Sequence, residues 1–243
     1  MSHRRHSSLL AAALLSVPAL AACGVIPGAP DEGPTAWIPS TAPSPSLSPL
    51  PTGEYGFTPA EEAAVRIRNS GCSALESGSG FAIDDHTIIT NHHVIADYDK
   101  LAITTSDGRD LTVASVATTT VADLAILTTV ESMTHYVTLS DSDPTVGDPV
   151  TVVGFPEGGE MTTTTGTILS SEADQLDNAD HVFLTSAASK PGASGSAAYG
   201  PDGTVFGVLY AGEGDTGRGI IIPISLLREA LVHPEPVAPS CSY

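Results

Sequence analysis

Basic and aromatic side chains are scarce in this 243-residue chain. Nine lysines and arginines stand against 28 aspartates and glutamates, which gives a formal net charge of −19, and aromatic residues make up 5%. Because an acidic domain repels phosphate backbones and anionic headgroups, the composition excludes nucleic acid and an anionic membrane surface as direct partners of the folded part. The abundant threonine, valine, alanine and glycine favour short strands and tight turns over a helix bundle.

Cysteines and long apolar runs are scarce as well. The chain has three cysteines, and no group of cysteine, histidine and carboxylate residues has the spacing of a zinc site, so neither a metal nor another cofactor is predicted. The apolar run from Leu9 to Leu20 is too short for a comfortable transmembrane helix. It follows Arg4 and Arg5, and this order of charge and apolar residues is typical of an export signal.

The predicted export signal, residues 1–22, ends in a sequence that resembles a bacterial lipobox. In such signals cleavage precedes the cysteine, here Cys23, whose thiol then carries a diacylglycerol. The alternative is an ordinary secretory signal in which Cys23 occurs by chance. Residues 23–56 are rich in proline and serine and have no apolar period, which predicts a disordered tether. We therefore expect an exported protein, lipid-anchored on the outer face of the bacterial cell membrane.

Without Cys23, the count of cysteines leaves Cys72 and Cys241, an even pair in an exported protein. A disulfide between them would join positions 169 residues apart and tie the C-terminal residues to the start of the domain. The alternative is two unpaired thiols, which is the less common state outside the cytosol.

Residues 57–234 carry the pattern of a folded domain, and residues 235–243 are interpreted as a C-terminal tail. The capping box Thr58-Pro59-Ala60-Glu61 predicts a short helix that reaches about Ile67. Roughly a dozen short β-like runs follow from Cys72 onward, and their spacing indicates an all-β sandwich or barrels. The apolar face of residues 225–231 predicts a closing helix.

A histidine, an aspartate and a serine stand in short motifs along this domain. His93 lies in Thr90-Asn91-His92-His93-Val94, Asp123 precedes Leu124-Ala125, and Ser194 lies in the loop Pro191-Gly192-Ala193-Ser194-Gly195-Ser196. A serine hydroxyl is a weak nucleophile near pH 7, so it needs a histidine as base and a carboxylate that orients the base. The order His, Asp, Ser along the chain is one of the known orders of such triads.

These motifs, together with Gly78-Ser79-Gly80-Phe81, resemble those of the chymotrypsin-like serine endopeptidases, particularly bacterial exported proteases of the HtrA type. Some similarity to membrane-attached acid-resistance proteases lies in the cysteines that flank the motifs. The resemblance implies two six-stranded antiparallel β-barrels, with the short N-terminal helix before them and the closing helix after them. It implies a catalytic triad, with His93 as general base, Asp123 as its orienter and Ser194 as nucleophile. His93 is preferred to His92 because the histidine of the pattern directly precedes valine.

The same resemblance assigns the oxyanion hole and the substrate pocket. The backbone N–H groups of Gly192 and Ser194 would form the oxyanion hole. Two residues of this loop depart from the family pattern: Ala193 stands where aspartate or asparagine is usual, and Ser196 where a second glycine is common. The primary pocket would be built from Ala188, Ser189, Tyr210, Ala211, Gly212 and Gly219. None of these is charged, so we expect a small or medium apolar residue at the cleavage position.

The leading hypothesis is therefore an extracytoplasmic, membrane-anchored serine endopeptidase that hydrolyses peptide bonds of proteins or peptides through an acyl-enzyme. The alternative is a catalytically silent binding module with a protease fold on the cell surface. A solute-binding lipoprotein is disfavoured because the alternation of helices and strands of such α/β domains is missing.

Overall fold

The computed structural model describes residues 56–174 and 179–241. The predicted export signal (residues 1–22), the lipidation at Cys23 and all of the tether except Gly56 lie outside the described residues. Within the described ranges there are three α-helices, none of which is long and apolar enough to cross a membrane. The helices are α1 (Pro59–Glu62), α2 (His92–Ile95) and α3 (Ile224–Val232).

The strands fall into two groups along the chain. The first group is β1 (Ala64–Gly71), β2 (Leu75–Ala82), β3 (Thr87–Thr90), β4 (Tyr98–Thr105), β5 (Asp110–Leu111), β6 (Val113–Thr118) and β7 (Ala125–Thr129). The second group is β8 (Pro149–Gly154), β9 (Thr162–Glu172), β10 (Val182–Ala188), β11 (Ala197–Tyr199), β12 (Val205–Glu213) and β13 (Arg218–Pro223), and a last strand, β14 (Glu235–Val237), follows α3.

The second group closes into a six-stranded antiparallel barrel in the order β10-β13-β12-β11-β8-β9. The first group and β14 together form a curled sheet of eight strands in the order β14-β6-β7-β3-β2-β1-β4-β5, which stays open between β14 and β5 within the described residues. The predicted all-β, chymotrypsin-like double-barrel fold is confirmed. The first half differs from a closed six-stranded barrel because β5 and β14 extend its two edges without pairing with each other.

The N-terminal helix is shorter than the sequence predicts. The capping box at Thr58 and Glu61 is present, but α1 ends at Glu62 and the prediction of helix as far as Ile67 is wrong. In β1 the buried Val65 and Ile67 alternate with the more exposed Arg66 and Arg68. This period of two places the β-branched residues against the core, and it outweighs the helix start before it.

Three apolar clusters fill the domain. One lies inside the first sheet, one lies inside the closed barrel, and the largest joins the two. The joining cluster packs Phe81 and Leu124 of the first half with Val153, Val208 and Leu227 of the second. Because this cluster is continuous, the loops at the junction of the two halves are held in fixed relative positions.

The C-terminal residues belong to the first sheet. The predicted closing helix is confirmed as α3, and after it β14 pairs with β6 from Glu235 opposite Thr118 to Val237 opposite Val116. The Ser240 N–H donates to the Tyr98 carbonyl, and Cys241 forms a disulfide with Cys72, with 5.4 Å between the two Cα atoms. The boundary predicted at residue 234 therefore does not separate residues 235–241 from the fold.

Candidate active site

His93 and Asp123 meet because two strands pair in antiparallel fashion. Thr90, the last residue of β3, lies opposite Ala125, the first residue of β7. The residues that follow Thr90 and those that precede Ala125 therefore emerge at the same end of the sheet. The first segment continues as the single turn α2, which carries His93, and the second carries Asp123.

The Asp123 carboxylate holds His93 at two points. Its Oδ2 atom is paired with the Nδ1 atom of the imidazole, and its Oδ1 atom accepts a hydrogen bond of 2.9 Å from the His93 backbone N–H. The Asn91 side chain donates to the Asp123 carbonyl at 2.7 Å. Because an ionised carboxylate only accepts hydrogen bonds, the imidazole carries its proton on Nδ1, which leaves Nε2 able to accept a proton.

Exposure differs within this pair. The Asp123 side chain is 9% exposed, whereas that of His93 is 48% exposed, so the carboxylate is sheltered and the ring faces solvent. His92 is also exposed, and among the described residues it makes no ion pair with a carboxylate. The structure thus brings together the two residues that the sequence motifs predict, and it distinguishes them from the neighbouring histidine.

Ser194 lies in the loop between β10 and β11, packed against the first sheet. The Ser79 N–H donates to the Ser194 carbonyl at 2.7 Å, and the Thr90 hydroxyl donates to the Ser79 carbonyl at 2.7 Å. A Cβ on Gly195, which has a φ of +88°, would lie 2.5 Å from the Thr90 Oγ1 atom. The loop therefore contacts Thr90, three positions before His93, and the absence of a side chain at Gly195 permits this close approach.

The Ser194 hydroxyl donates to the Tyr210 carbonyl at 3.2 Å. No hydrogen bond joins Ser194 to His93 in the part of the chain that the structure describes. Tyr210 lies at an irregularity of β12, where the pairing with β13 shifts register between Leu209 and Ala211. The Ser194 hydroxyl therefore rests on a backbone acceptor rather than on the imidazole.

The two amides assigned to the oxyanion hole are unoccupied as donors within residues 56–174 and 179–241: neither the Gly192 nor the Ser194 N–H makes a hydrogen bond there. Gly192 has a φ of +84°, which glycine adopts at little cost. Its carbonyl accepts a hydrogen bond of 2.9 Å from the Ser79 hydroxyl, which in turn accepts the Phe155 N–H at 2.8 Å. Two N–H groups are thus available beside the serine.

The residues predicted to form a substrate pocket differ in their surroundings. A Cβ on Gly212 would lie 3.5 Å from the Ser189 side chain, so these residues face each other, and Gly219 pairs with Gly212 across β12 and β13. Ala211 is half-buried on the same strand. The Tyr210 ring is buried and its hydroxyl donates to Asp174 at 2.6 Å, so this residue offers its carbonyl rather than its ring.

Ala188 lines a cavity that also borders the serine loop. The cavity has a volume of about 320 Å³ and is lined in part by Ala188, Lys190 and Ala193. Ala188 also pairs with Arg218 at the irregular end of β10. The structure therefore places Ala188 beside the base of the Ser194 loop, whereas Ser189 faces Gly212.

Three polar residues at the site carry no predicted role: Asn69, Ser79 and Asn91. All three are fully or almost fully buried, and each donates to a backbone carbonyl of the segments that carry His93, Asp123 or Ser194. The motifs Gly78-Ser79-Gly80 and Thr90-Asn91 single out two of them, but Asn69 lies in no motif. Buried polar residues inside apolar strand patterns are the signal that would have found all three.

Residues 78–208, more than half of the chain, match the model of the trypsin-like peptidase domain. The chain belongs to this family. The match covers His93, Asp123 and Ser194. Among the described residues, no group of three or more histidine, cysteine, aspartate or glutamate side chains is arranged to hold a metal ion.

The chain is similar to several probable periplasmic serine endoproteases described as DegP-like. It is 32% identical to that of Chlamydia muridarum over 163 residues, which is 64% of this chain and 33% of the relative. It is 32% identical to that of Hahella chejuensis over 166 residues, 65% of this chain and 35% of the relative. The chain thus spans about a third of the length of the curated relatives it matches.

Solved structures of proteases share the fold. A protease from M. tuberculosis in its active form superposes with a TM-score of 0.66 at 23% identity, over 74% of this chain and 84% of that one. An HtrA-type protease solved with a tripeptide gives a TM-score of 0.65 at 26% identity, over 71% of this chain and 60% of that one. The double-barrel architecture is therefore that of the HtrA-type trypsin-like proteases.

Proposed function

We propose that the chain is an exported serine endopeptidase in which Ser194 is the nucleophile, His93 the general base and Asp123 its orienter. The observation that carries the proposal is the double hold of Asp123 on His93, through the imidazole Nδ1 atom and through the backbone N–H. This hold fixes both the tautomer and the direction of the ring, which are the two conditions that a general base must meet.

The reaction begins when the Ser194 hydroxyl leaves the Tyr210 carbonyl and turns to His93. Exchanging one neutral hydrogen bond for another costs at most about 1 kcal/mol, so this rotation is accessible. The Nε2 atom of His93 accepts the proton as the Ser194 Oγ atom bonds to the carbonyl carbon of the substrate. The carbonyl oxygen becomes an oxyanion, which the Gly192 and Ser194 N–H groups stabilise.

Collapse of the tetrahedral intermediate breaks the C–N bond. His93 returns its proton to the leaving amine, and the acyl group stays on Ser194 as an ester. A water molecule then attacks this ester, with His93 accepting one of its protons, and the second collapse returns the proton to Ser194 and releases the carboxylic acid. Asp123 remains ionised throughout and stabilises the imidazolium that forms twice in the cycle.

The substrates we propose are peptides and unfolded segments of proteins. The residues assigned to the pocket beside Ser189 and Gly212 carry no charge and are mostly small, which supports a small or medium apolar side chain at the cleavage position. Export is supported by the motif at residues 1–22 and by the relatives that are named periplasmic. Anchoring through a lipid on Cys23 is part of the same proposal.

The test of the chemistry is covalent labelling by a fluorophosphonate, which reacts with an activated serine. The wild-type protein is expected to label, Ser194→Ala is expected to abolish labelling, and Ser115→Ala, at an exposed serine of β6, is expected to keep it. A wild-type protein that is folded by circular dichroism but does not label would contradict the proposal.

A catalytically silent binding module is the second candidate. The resting contact between the Ser194 hydroxyl and the Tyr210 carbonyl favours it, because in this arrangement the serine makes no hydrogen bond to its base within the described residues. This candidate predicts a folded wild type that neither labels nor cleaves peptide or ester substrates. Labelling decides between the two.

Anchoring has its own experiment. Cys23→Ser is expected to move the protein from the membrane fraction to the soluble fraction and to stop incorporation of labelled palmitate, since Cys23 would carry the lipid. Membrane association that persists in Cys23→Ser would contradict the lipid anchor and leave the protease assignment untouched.

A further inference from the structure

The direction of each oxyanion donor is set by the carbonyl of its own peptide group. In a planar trans peptide the N–H and the C=O point in opposite directions. A contact that holds the carbonyl on one side of the loop therefore holds the N–H toward the other side. The relevant carbonyls are that of Pro191, which shares a peptide group with the Gly192 N–H, and that of Ala193, which shares one with the Ser194 N–H.

The Pro191 carbonyl is held by backbone alone. It accepts a hydrogen bond of 2.6 Å from the N–H of Glu157, a non-glycine residue at a φ of +58°. The loop fits closely against this turn, because a Cβ on Gly192 would lie 2.6 Å from the Glu157 nitrogen. The first donor thus depends on the path of the chain more than on a side chain.

The Ala193 carbonyl is held by a side chain. The Ser196 hydroxyl donates to it at 2.6 Å, and the Ser196 N–H donates to it at 3.1 Å. Ser196 is completely buried, and the space for its hydroxyl exists because residue 154 is glycine: a Cβ there would overlap the Ser196 Oγ atom. The Ala193 side chain has no polar group with which to fix the loop.

We propose that Ser196 is a positioning residue for the oxyanion hole. Its hydroxyl fixes the Ala193–Ser194 peptide group, so the Ser194 N–H points to the substrate oxygen. Gly154 supplies the cavity in which the hydroxyl acts. The inference rests on the proposed function, because it assigns Ser196 a part in the same reaction.

The expected fall in kcat of Ser196→Ala depends on how far the Ser194 N–H loses its fixed direction. Removing an oxyanion donor outright lowers kcat by about 10²–10³-fold. Ser196→Ala keeps the Ser194 N–H and the weaker contact from the Ser196 N–H, but it frees the peptide group to tilt. We therefore expect kcat to fall about 10-fold, with KM within about twofold of the wild type, because the ground state uses this donor little.

Two inhibitors separate this role from a general loosening of the fold. A peptidyl trifluoromethyl ketone adds to Ser194 and forms an oxyanion, whereas the matching trifluoromethyl alcohol binds without forming one. In Ser196→Ala the inhibition constant of the ketone is expected to rise about 10-fold and that of the alcohol to stay unchanged. Ser196→Cys, which keeps the shape but is a weaker donor, is expected to lie between the wild type and Ser196→Ala.

Thr129→Val is the matched control. Thr129 is a buried residue of β7, at the end of the strand away from Asp123, and its hydroxyl also donates to a backbone carbonyl, that of Glu131, at 2.8 Å. Its loss is expected to lower Tm about as much as Ser196→Ala does, without a change in kcat or in either inhibition constant.

The outcomes are distinct. If Ser196→Ala lowers Tm like Thr129→Val but leaves kcat and ketone binding unchanged, or weakens ketone and alcohol equally, the positioning role is wrong while the protease assignment stands. If the wild type does not react with the fluorophosphonate, the protease assignment fails first, and the role of Ser196 fails with it.

Discussion

The first sheet and the closed barrel each contribute one part of the proposed active site. The sheet carries His93 and Asp123, and polar side chains fix their segments: Asn91 donates to the Asp123 carbonyl, and Asn69 to carbonyls at the end of α2. The barrel carries the Ser194 loop, in which two glycines have a positive φ and most contacts are made by backbone groups.

The two parts are sensitive to different kinds of substitution. The acid–base pair needs particular side chains, because an amide or a carboxylate has to supply donors or acceptors at fixed points. Apart from Ser196, the serine loop needs side chains to be missing, because Gly192 and Gly195 approach other backbone groups too closely for a Cβ. Substitutions that remove polar groups should therefore damage the sheet part and, at Ser196, the loop, whereas substitutions that add atoms should damage the loop. The following variants are ranked by expected loss of turnover.

Asp123→Asn breaks the acid–base pair with the largest expected effect. The amide can still accept the His93 N–H, but its NH2 group would face Nδ1, which must then be an acceptor. The imidazole proton moves to Nε2, where it blocks transfer from Ser194. We expect kcat to fall about 10⁴-fold, by analogy with the Ser-His-Asp triad of the chymotrypsin type.

The measurement for Asp123→Asn is steady-state hydrolysis of a peptide substrate together with Tm. The fold should survive, because the amide is isosteric with the carboxylate. A loss of less than about 10-fold would show that the orienting role of Asp123 is wrong.

Gly192→Ala attacks the serine loop by adding one methyl group. The new Cβ would lie 2.6 Å from the Glu157 nitrogen and 2.9 Å from the Gly158 nitrogen, so the Gly192 peptide has to move. Displacing this donor is expected to lower kcat by about 10²–10³-fold. Fluorophosphonate labelling rates and kcat both report the loss.

Gly203→Ala is the matched control for this substitution. Gly203 has a φ of +79°, close to that of Gly192, but a Cβ there meets nothing within 4 Å. Both variants incur a similar backbone strain of about 1 kcal/mol, and Gly192→Ala adds the clash with the Glu157 turn, so Tm should fall in both and further in Gly192→Ala, while turnover should fall only in Gly192→Ala. Equal turnover in the two variants would mean that the contact with the Glu157 turn has no part in the oxyanion hole.

Asn69→Leu tests whether the hydrogen bonds from Asn69 to the end of α2 hold His93 in place. The Asn69 amide donates to the Val94 carbonyl at 3.2 Å and to the Ala96 carbonyl at 2.8 Å, and both belong to the end of the one-turn helix that carries His93. Leucine has a similar size but no donor, so two carbonyls lose their partner and α2 can tilt. We expect kcat to fall about 10-fold and the free energy of unfolding to fall by about 1–3 kcal/mol.

Thr129→Val, which removes a comparable buried contact elsewhere in the sheet, again provides the control for Asn69→Leu. If both variants lose stability but neither loses kcat, then α2 does not need Asn69 to hold His93 in place.

Whether a part of the site can be predicted from sequence depends on how far apart along the chain the contacting residues lie. The motifs around His93, Asp123 and Ser194 are local, and the order of the motifs predicts their roles. The Ser79 hydroxyl contacts Gly192, which is 113 positions away along the chain, and Phe155, which is 76 positions away. No local sequence pattern predicts either contact. The Ser196 contact spans three residues, yet its meaning depends on the space left by Gly154, which lies on another strand.

Prediction of the fold is limited in the same way by pairings between distant parts of the chain. The all-β class is predictable because short β-like runs and turns recur along the whole domain, whereas the double barrel is implied by the resemblance of the motifs to those of chymotrypsin-like proteases. The sequence does not predict β1, because the helix start at Thr58 precedes it. It does not predict β14 either, because this strand has only three residues, one of them Pro236, and all three are exposed. Both are stabilised by pairing with strands far away in the chain, which outweighs local preference.

The Cys72–Cys241 disulfide separates stability from activity most sharply. It closes a separation of 169 residues and ties the segment after β14 to the turn between β1 and β2. In the chain-entropy model, such a link stabilises the fold by up to about 5 kcal/mol. The double variant Cys72→Ser and Cys241→Ser should therefore show a clear fall in Tm. Its kcat, measured well below Tm, should stay within about twofold, because the support of α2 comes from Asn69 and from the residue 72 N–H, which donates to the Asp97 carbonyl, and both survive the substitution. A loss of turnover at low temperature would show instead that the first sheet needs its C-terminal strand to hold His93, and that the sheet part of the site is not fixed by polar side chains alone.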